Sequence, residues 1–153
     1  MESKPTHEQA KLQLELYDLR REAKMREARD WYFKNYWVDS FEDSMKLATP
    51  GTPQGAYVMM VLSYWEQACS FLNHDLLHED LFFESNGEFF GVFERVRGVV
   101  PQFRERFAFK QYLGNLEKAA ERFEAWMEKR SPGHIAGMRQ WMQTMRPQKE
   151  KAA

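Results

Sequence analysis

Apolar residues recur along most of the chain at spacings of three and four, the period of one face of an α-helix. The longest such run is Phe109, Tyr112, Leu113, Leu116, Ala119, Ala120, Phe123 and Trp126, with charged residues between. It predicts one amphipathic helix across all of these positions. Leu12, Leu16 and Leu19 predict a first helix over about 7–19, opened by a capping box of Thr6 and Gln9. Met25, Ala28, Tyr32 and Tyr36 keep the same spacing to about Trp37. No glycine or proline interrupts DLRREAKMREAR, so one long helix and two shorter ones both fit.

Ser40 and Asp43 suit the start of a short helix through Leu47. The segment TPGTPQG, residues 49–55, then reads as a loop. Residues 56–73 are apolar almost all round, which predicts a buried central helix. Its polar positions, Ser63, Glu66, Ser70 and Asn73, fall on one narrow stripe. A short helix over about 78–83 follows. Ser85, with Glu88 three residues on, suggests the cap of a helix over 86–97 that turns Phe89, Phe93 and Val96 inward. The valine-rich VFERVRGVV also fits extended chain, and Pro101 can begin a further helix. KRSPG stops the long amphipathic run; Ser131 and Pro132 then suit the cap and first position of a last helix, with Ile135, Met138, Met142 and Met145 on one face. The pattern predicts an all-α fold: a single-domain bundle of six to eight helices over 1–145 around the helix at 56–73, with a polar, fraying tail at 146–153.

Composition narrows the function. Hydrophobic residues make up 43% of the 153, with 12 Phe, 9 Met, 6 Tyr and 5 Trp, enough for a packed core. The net charge of −1 argues against a global attraction to nucleic acid or acidic lipid. The five cations of RREAKMREAR are interleaved with two glutamates, as on a solvated helix face. The six Lys/Arg after Glu128, with Trp141 and three methionines, suit docking on RNA, a membrane or a partner groove, though such a stripe more often packs on its own domain. The longest apolar run, AYVMMVL, is far short of the roughly 20 residues of a membrane span. The only cysteine, Cys69, excludes an intrachain disulfide, and the polar start carries no secretory signal; both fit a cytoplasmic protein.

The densest cluster of reactive side chains is NHDLLHEDLFFESNGE, residues 73–88. His74 and His78 stand four apart, a spacing that brings two imidazoles to one metal if the segment is helical. No third histidine or cysteine is near, and Asn73 is a common helix stop, so a joint between two helices is the stronger expectation. Glu66 in an apolar helix needs a partner, and Arg29 is a natural one for an ion pair. Nothing resembles a nucleophile elbow, a phosphate loop or a dinucleotide fingerprint.

At MREARDWYF and VLSYWEQACSFLNHDLLHEDLFFESNGEFFGVFERVRGVVPQFRE the chain resembles a group of small bacterial proteins, the 4760-type domain of unknown function. The resemblance rests on R-E-A-x-x-W in an early helix, an aromatic-E-x-A sequence in a later one, and a closing P-x-x-R. It implies bacterial origin and a helical fold, and carries over no catalytic residue. Members often begin with a membrane helix, which the polar start here does not supply. The function expected is a non-enzymatic cytoplasmic interaction or regulatory module, without metal or cofactor, that meets a protein partner or a second copy. The alternative is a small-ligand-binding or hydrolase-like site formed by Glu66, Asn73, His74 and Glu88.

Overall fold

The computed structural model describes residues 3–148. Among these the fold is all-α, with nine helices and no strand. Three of them, Phe41–Leu47, Glu79–Ser85 and Val100–Arg106, are only seven residues long, so the count exceeds the six to eight expected. The described chain forms two compact units that divide within the helix over Gly114–Arg130, one running through Ala120 and the other from Glu121.

The first unit opens with α1 (His7–Arg20), closed at its start by the Thr6–Gln9 capping box. The ambiguous stretch after it is two helices. Glu22 leaves the helical region at φ −55°, ψ 143°, and its carboxylate accepts the backbone N–H groups of Lys24 and Met25. A side-chain cap thus starts α2 (Ala23–Asn35) where no glycine or proline marks a break. Ser40 caps α3 (Phe41–Leu47) through the Asp43 N–H.

The central helix α4 (Pro53–Asn73) begins inside the predicted loop, with Pro53 in its first turn and Thr52 capping the Gly55 N–H. Val58, Val61, Leu62, Trp65, Ala68, Cys69 and Leu72 are buried, and α2 packs along this side. The opposite side is open: Met59 is 70% exposed, so α4 is buried on one face rather than all round. The helix ends in a Schellman-type turn. Asp75 takes the left-handed position at φ 60°, its N–H reaching the Leu72 carbonyl and that of Leu76 the Phe71 carbonyl.

After this joint come α5 (Glu79–Ser85), α6 (Glu88–Val96) and α7 (Val100–Arg106). Ser85 is the last residue of α5 and not the cap of the next helix; Gly87 precedes α6 and offers no side-chain cap. The valine-rich end is helical rather than extended: Val92 and Val96 are buried in α6 and Val100 in α7, with buried Val99 in the turn between them as the cap position of α7. Phe82, Phe83 and Phe89 bring their rings together beside Trp65.

The strongest amphipathic run is not one helix. A second Schellman-type turn closes α7, with Ala108 at φ 49° and the Phe109 N–H on the Arg104 carbonyl. Leu113 also has positive φ, 53°, and α8 (Gly114–Arg130) starts after it. Phe109 and Tyr112 therefore belong to a compact turn whose spacing mimics a helix.

In the second unit, α9 (His134–Thr144) starts after Gly133 in the left-handed region, not at Ser131. Its Arg139 makes a two-pronged ion pair with Glu124, both bonds 2.9 Å. Trp141 and Met145 are exposed. The expected polar tail is described only as far as Gln148; its remainder lies outside the described residues.

Candidate functional site

The polar stripe of α4 has a structural partner that its spacing could not disclose. Leu113, just before α8, has no acceptor on its side chain, so the first turn of α8 cannot be capped locally. Glu66 supplies the cap from α4. One carboxylate oxygen accepts the Asn115 backbone N–H at 3.0 Å and its side-chain amide at 3.2 Å; the other accepts the Leu116 N–H at 2.7 Å. Asn73, two turns along the same stripe, donates to the backbone carbonyl and side-chain oxygen of Asn115 at 3.0 and 3.1 Å. A negative group at the start of a helix also suits the helix dipole.

The expected Glu66–Arg29 ion pair is therefore not formed. Arg29 turns instead to Glu88 at 2.8 Å, and Arg20 reaches the other oxygen of the same carboxylate at 3.3 Å. Glu88 is thereby a cross-link from α6 to α1 and α2, all three side chains being largely buried. His74 is the exposed residue that ends α4, and His78 is the cap of α5, its ring accepting the Leu81 N–H. The other His78 ring nitrogen meets the Ser3 carbonyl. The two imidazoles sit on different sides of a turn, as the joint reading requires. Among the described residues, no group of three metal-ligating side chains comes together. Of the four candidates for a ligand site, Glu66 and Asn73 meet at Asn115, whereas His74 and Glu88 lie elsewhere.

What the sequence did not disclose is a cavity. It has a volume of about 530 Å3 and is walled by α3, α4, α7 and the 107–113 turn. Met45, Val58, Leu62 and Phe103 give it an apolar lining, and Met59, Phe107 and Phe109 stand exposed along it. Its polar atoms are few. Tyr36 and Ser44, both buried, hydrogen-bond to each other at 2.8 Å. Burial raises the Tyr36 phenol above the ordinary tyrosine range, partly offset by that bond. Tyr112 is raised further, by burial first and then by the proximity of Tyr36 and Glu66. Among the described residues lining the cavity, Glu66 alone carries a charge. The separation of Phe103, Phe107 and Tyr112 by turns of mixed period hid this clustering, although all lie within ten residues of chain.

A family model described as Domain of unknown function (DUF4760) matches residues 5–123. The chain belongs to this family. No curated protein and no solved structure matches it. All cavity-lining residues and the Glu66–Asn115 cap lie inside the DUF4760 match, whereas α9 lies beyond it. Among the described residues of this DUF4760 protein, no helix is long and apolar enough to cross a membrane.

Proposed function

We propose that this DUF4760 protein is a non-enzymatic binding module, regulatory in role, that takes up an apolar molecule in the cavity beside α4. The carrying observation is the cavity itself: about 530 Å3 of apolar lining within a packed fold, in the size range of small-ligand sites. Three large apolar side chains, Met59, Phe107 and Phe109, border it in contact with water, a cost that an occupant would relieve. The hydrolase-like alternative has no such support. Its acid, Glu66, is engaged by three N–H groups, and His74 is at the far end of α4. The exposed rim favours a second reading for partners, in which the same side chains meet a protein or a second copy of the chain. The proposed setting is a bacterial cytoplasm, where a lone buried thiol such as Cys69 stays reduced.

The test is titration with Nile red, an uncharged apolar dye, against the full chain and a Met59→Asp/Phe109→Asp variant. Micromolar binding by the native chain, lost in a variant of unchanged circular dichroism, is the expected result. Equal binding by both removes the cavity from the function. Native mass spectrometry over a range of concentrations tests the partner reading: a dimer dispersed by the same two substitutions supports it, and a monomer throughout excludes self-association.

A further inference from the structure

The cavity holds more hydrogen-bond donors than the chain can satisfy. Tyr36 and Ser44 have one hydroxyl hydrogen each but share a single bond. Whichever donates, the other hydrogen has no acceptor among the described residues. Both side chains are almost wholly buried, Ser44 being only 4% exposed, so the deficit is in the cavity wall and not at the surface. Tyr112, half-buried on the same wall, makes no hydrogen bond through its hydroxyl among the described residues, so it is a further donor open to an occupant. An unmet buried donor is unfavourable unless something supplies an acceptor.

The charges narrow what that acceptor is. No lysine, arginine or histidine is among the described residues lining the cavity, and the one charge there is the Glu66 carboxylate. A carboxylate or phosphate entering would lose water without gaining a counter-ion and would meet Glu66. A cation would be drawn to Glu66, yet the surplus hydroxyls ask for an acceptor, which an ammonium lacks.

We infer that the cavity selects an uncharged apolar molecule bearing a carbonyl oxygen, such as a ketone, ester or amide, with the oxygen accepting the one spare hydrogen of the Tyr36–Ser44 pair and that of Tyr112, and the hydrocarbon against Phe103, Phe107 and Met59. This assignment rests on the binding role proposed above and adds its ligand class. A site built to hydrogen-bond a ligand rejects the analogue that lacks the group, because its own buried polar atoms are then left unmet.

Three probes of nearly equal shape separate the possibilities: acetophenone, isopropylbenzene and benzoate. Each is titrated into the full chain and followed by amide NMR at Ser44, Leu62 and Tyr112. Acetophenone is expected to bind about 2- to 10-fold more tightly than isopropylbenzene, the ratio of one neutral hydrogen bond, and benzoate most weakly. In a Ser44→Ala/Tyr112→Phe variant the acetophenone preference should fall towards one while isopropylbenzene still binds. If that variant does not fold, Tyr112→Phe alone, which keeps the ring, should reduce the preference. Equal binding of acetophenone and isopropylbenzene by the native chain would mean that water meets the hydroxyls, and would overturn the ligand class while leaving the cavity a binding site. Tightest binding of benzoate, or a preference indifferent to both variants, overturns it as well. If none of the three perturbs the cavity amides, the binding role fails along with it.

Discussion

Replacing Glu66 with alanine removes all three acceptor contacts that start α8. Two of the lost partners are the backbone N–H groups of Asn115 and Leu116, which have no carbonyl to turn to within the helix. Hydrogen bonds to a charged group contribute about 1.5–3 kcal/mol each, but bonds to one carboxylate are not additive, and water replaces part of the loss at a half-buried side chain. A central expectation is about 2.5 kcal/mol. At about 2–4 °C per kcal/mol for a chain of this size, the midpoint should fall by roughly 5–10 °C. Glu66→Gln keeps one acceptor oxygen and turns an NH2 towards a backbone donor, so about half the loss should persist. Urea unfolding followed by circular dichroism measures both, with Arg29→Ala as the companion. Because Arg29 pairs with Glu88, the Glu66 and Arg29 losses should add within about 0.5 kcal/mol. A Glu66→Ala loss below about 0.5 kcal/mol would refute the capping role, and strong coupling to Arg29 would restore the ion pair in its place.

Ala108 holds a left-handed conformation that costs a residue with a Cβ about 1–2 kcal/mol; Ala108→Gly should therefore stabilise the chain by about 0.5–1 kcal/mol after its own entropic cost, checked by the urea midpoint. Burial raises the phenols of Tyr32, Tyr36, Tyr64 and Tyr112, Tyr64 to about 12, from an ordinary value of 10.0. The unfolded chain then releases these protons first, so their contribution is complete below pH 10 and is lost as the pH rises through 10 towards 12; the phenolate absorbance of these four should rise together with unfolding rather than before it. His78→Ala should cost about 0.5–1 kcal/mol through its cap on α5, and His74→Ala almost nothing. Calorimetric titration of zinc into chelator-treated protein should show no difference between the native chain and a His74→Ala/His78→Ala variant.

Legibility in the sequence followed the range of the interactions. Where a cap and its helix are neighbours in the chain, as with Thr6, Ser40 and the joint from Asn73 to His78, the residues themselves disclosed the element. Where the decisive partner is distant, they did not. Glu66 was singled out as needing a partner, yet its partners are backbone groups some fifty residues away, and backbone donors leave no mark on a sequence. Arg29 and Glu88 were each picked out, but no spacing rule pairs residues on different helices. The turn at 107–113 misled for a different reason. Phe109 and Tyr112 both border the cavity at the spacing a helix would give, and alanine and leucine in the left-handed region carry none of the glycine signal that ordinarily betrays such a turn. The cavity was hidden with it, since that turn forms one of its walls.

The distant cap on α8 has a kinetic side. A helix closed by its own neighbours can nucleate before the rest of the chain collapses, whereas the first turn of α8 needs a carboxylate carried on α4, across a separation of 49 residues. Closing that loop costs entropy before the three bonds return anything. α8 should therefore acquire its amino-terminal turn late, once α4 has docked on α2. Glu66→Ala would then speed unfolding while leaving the folding rate nearly unchanged.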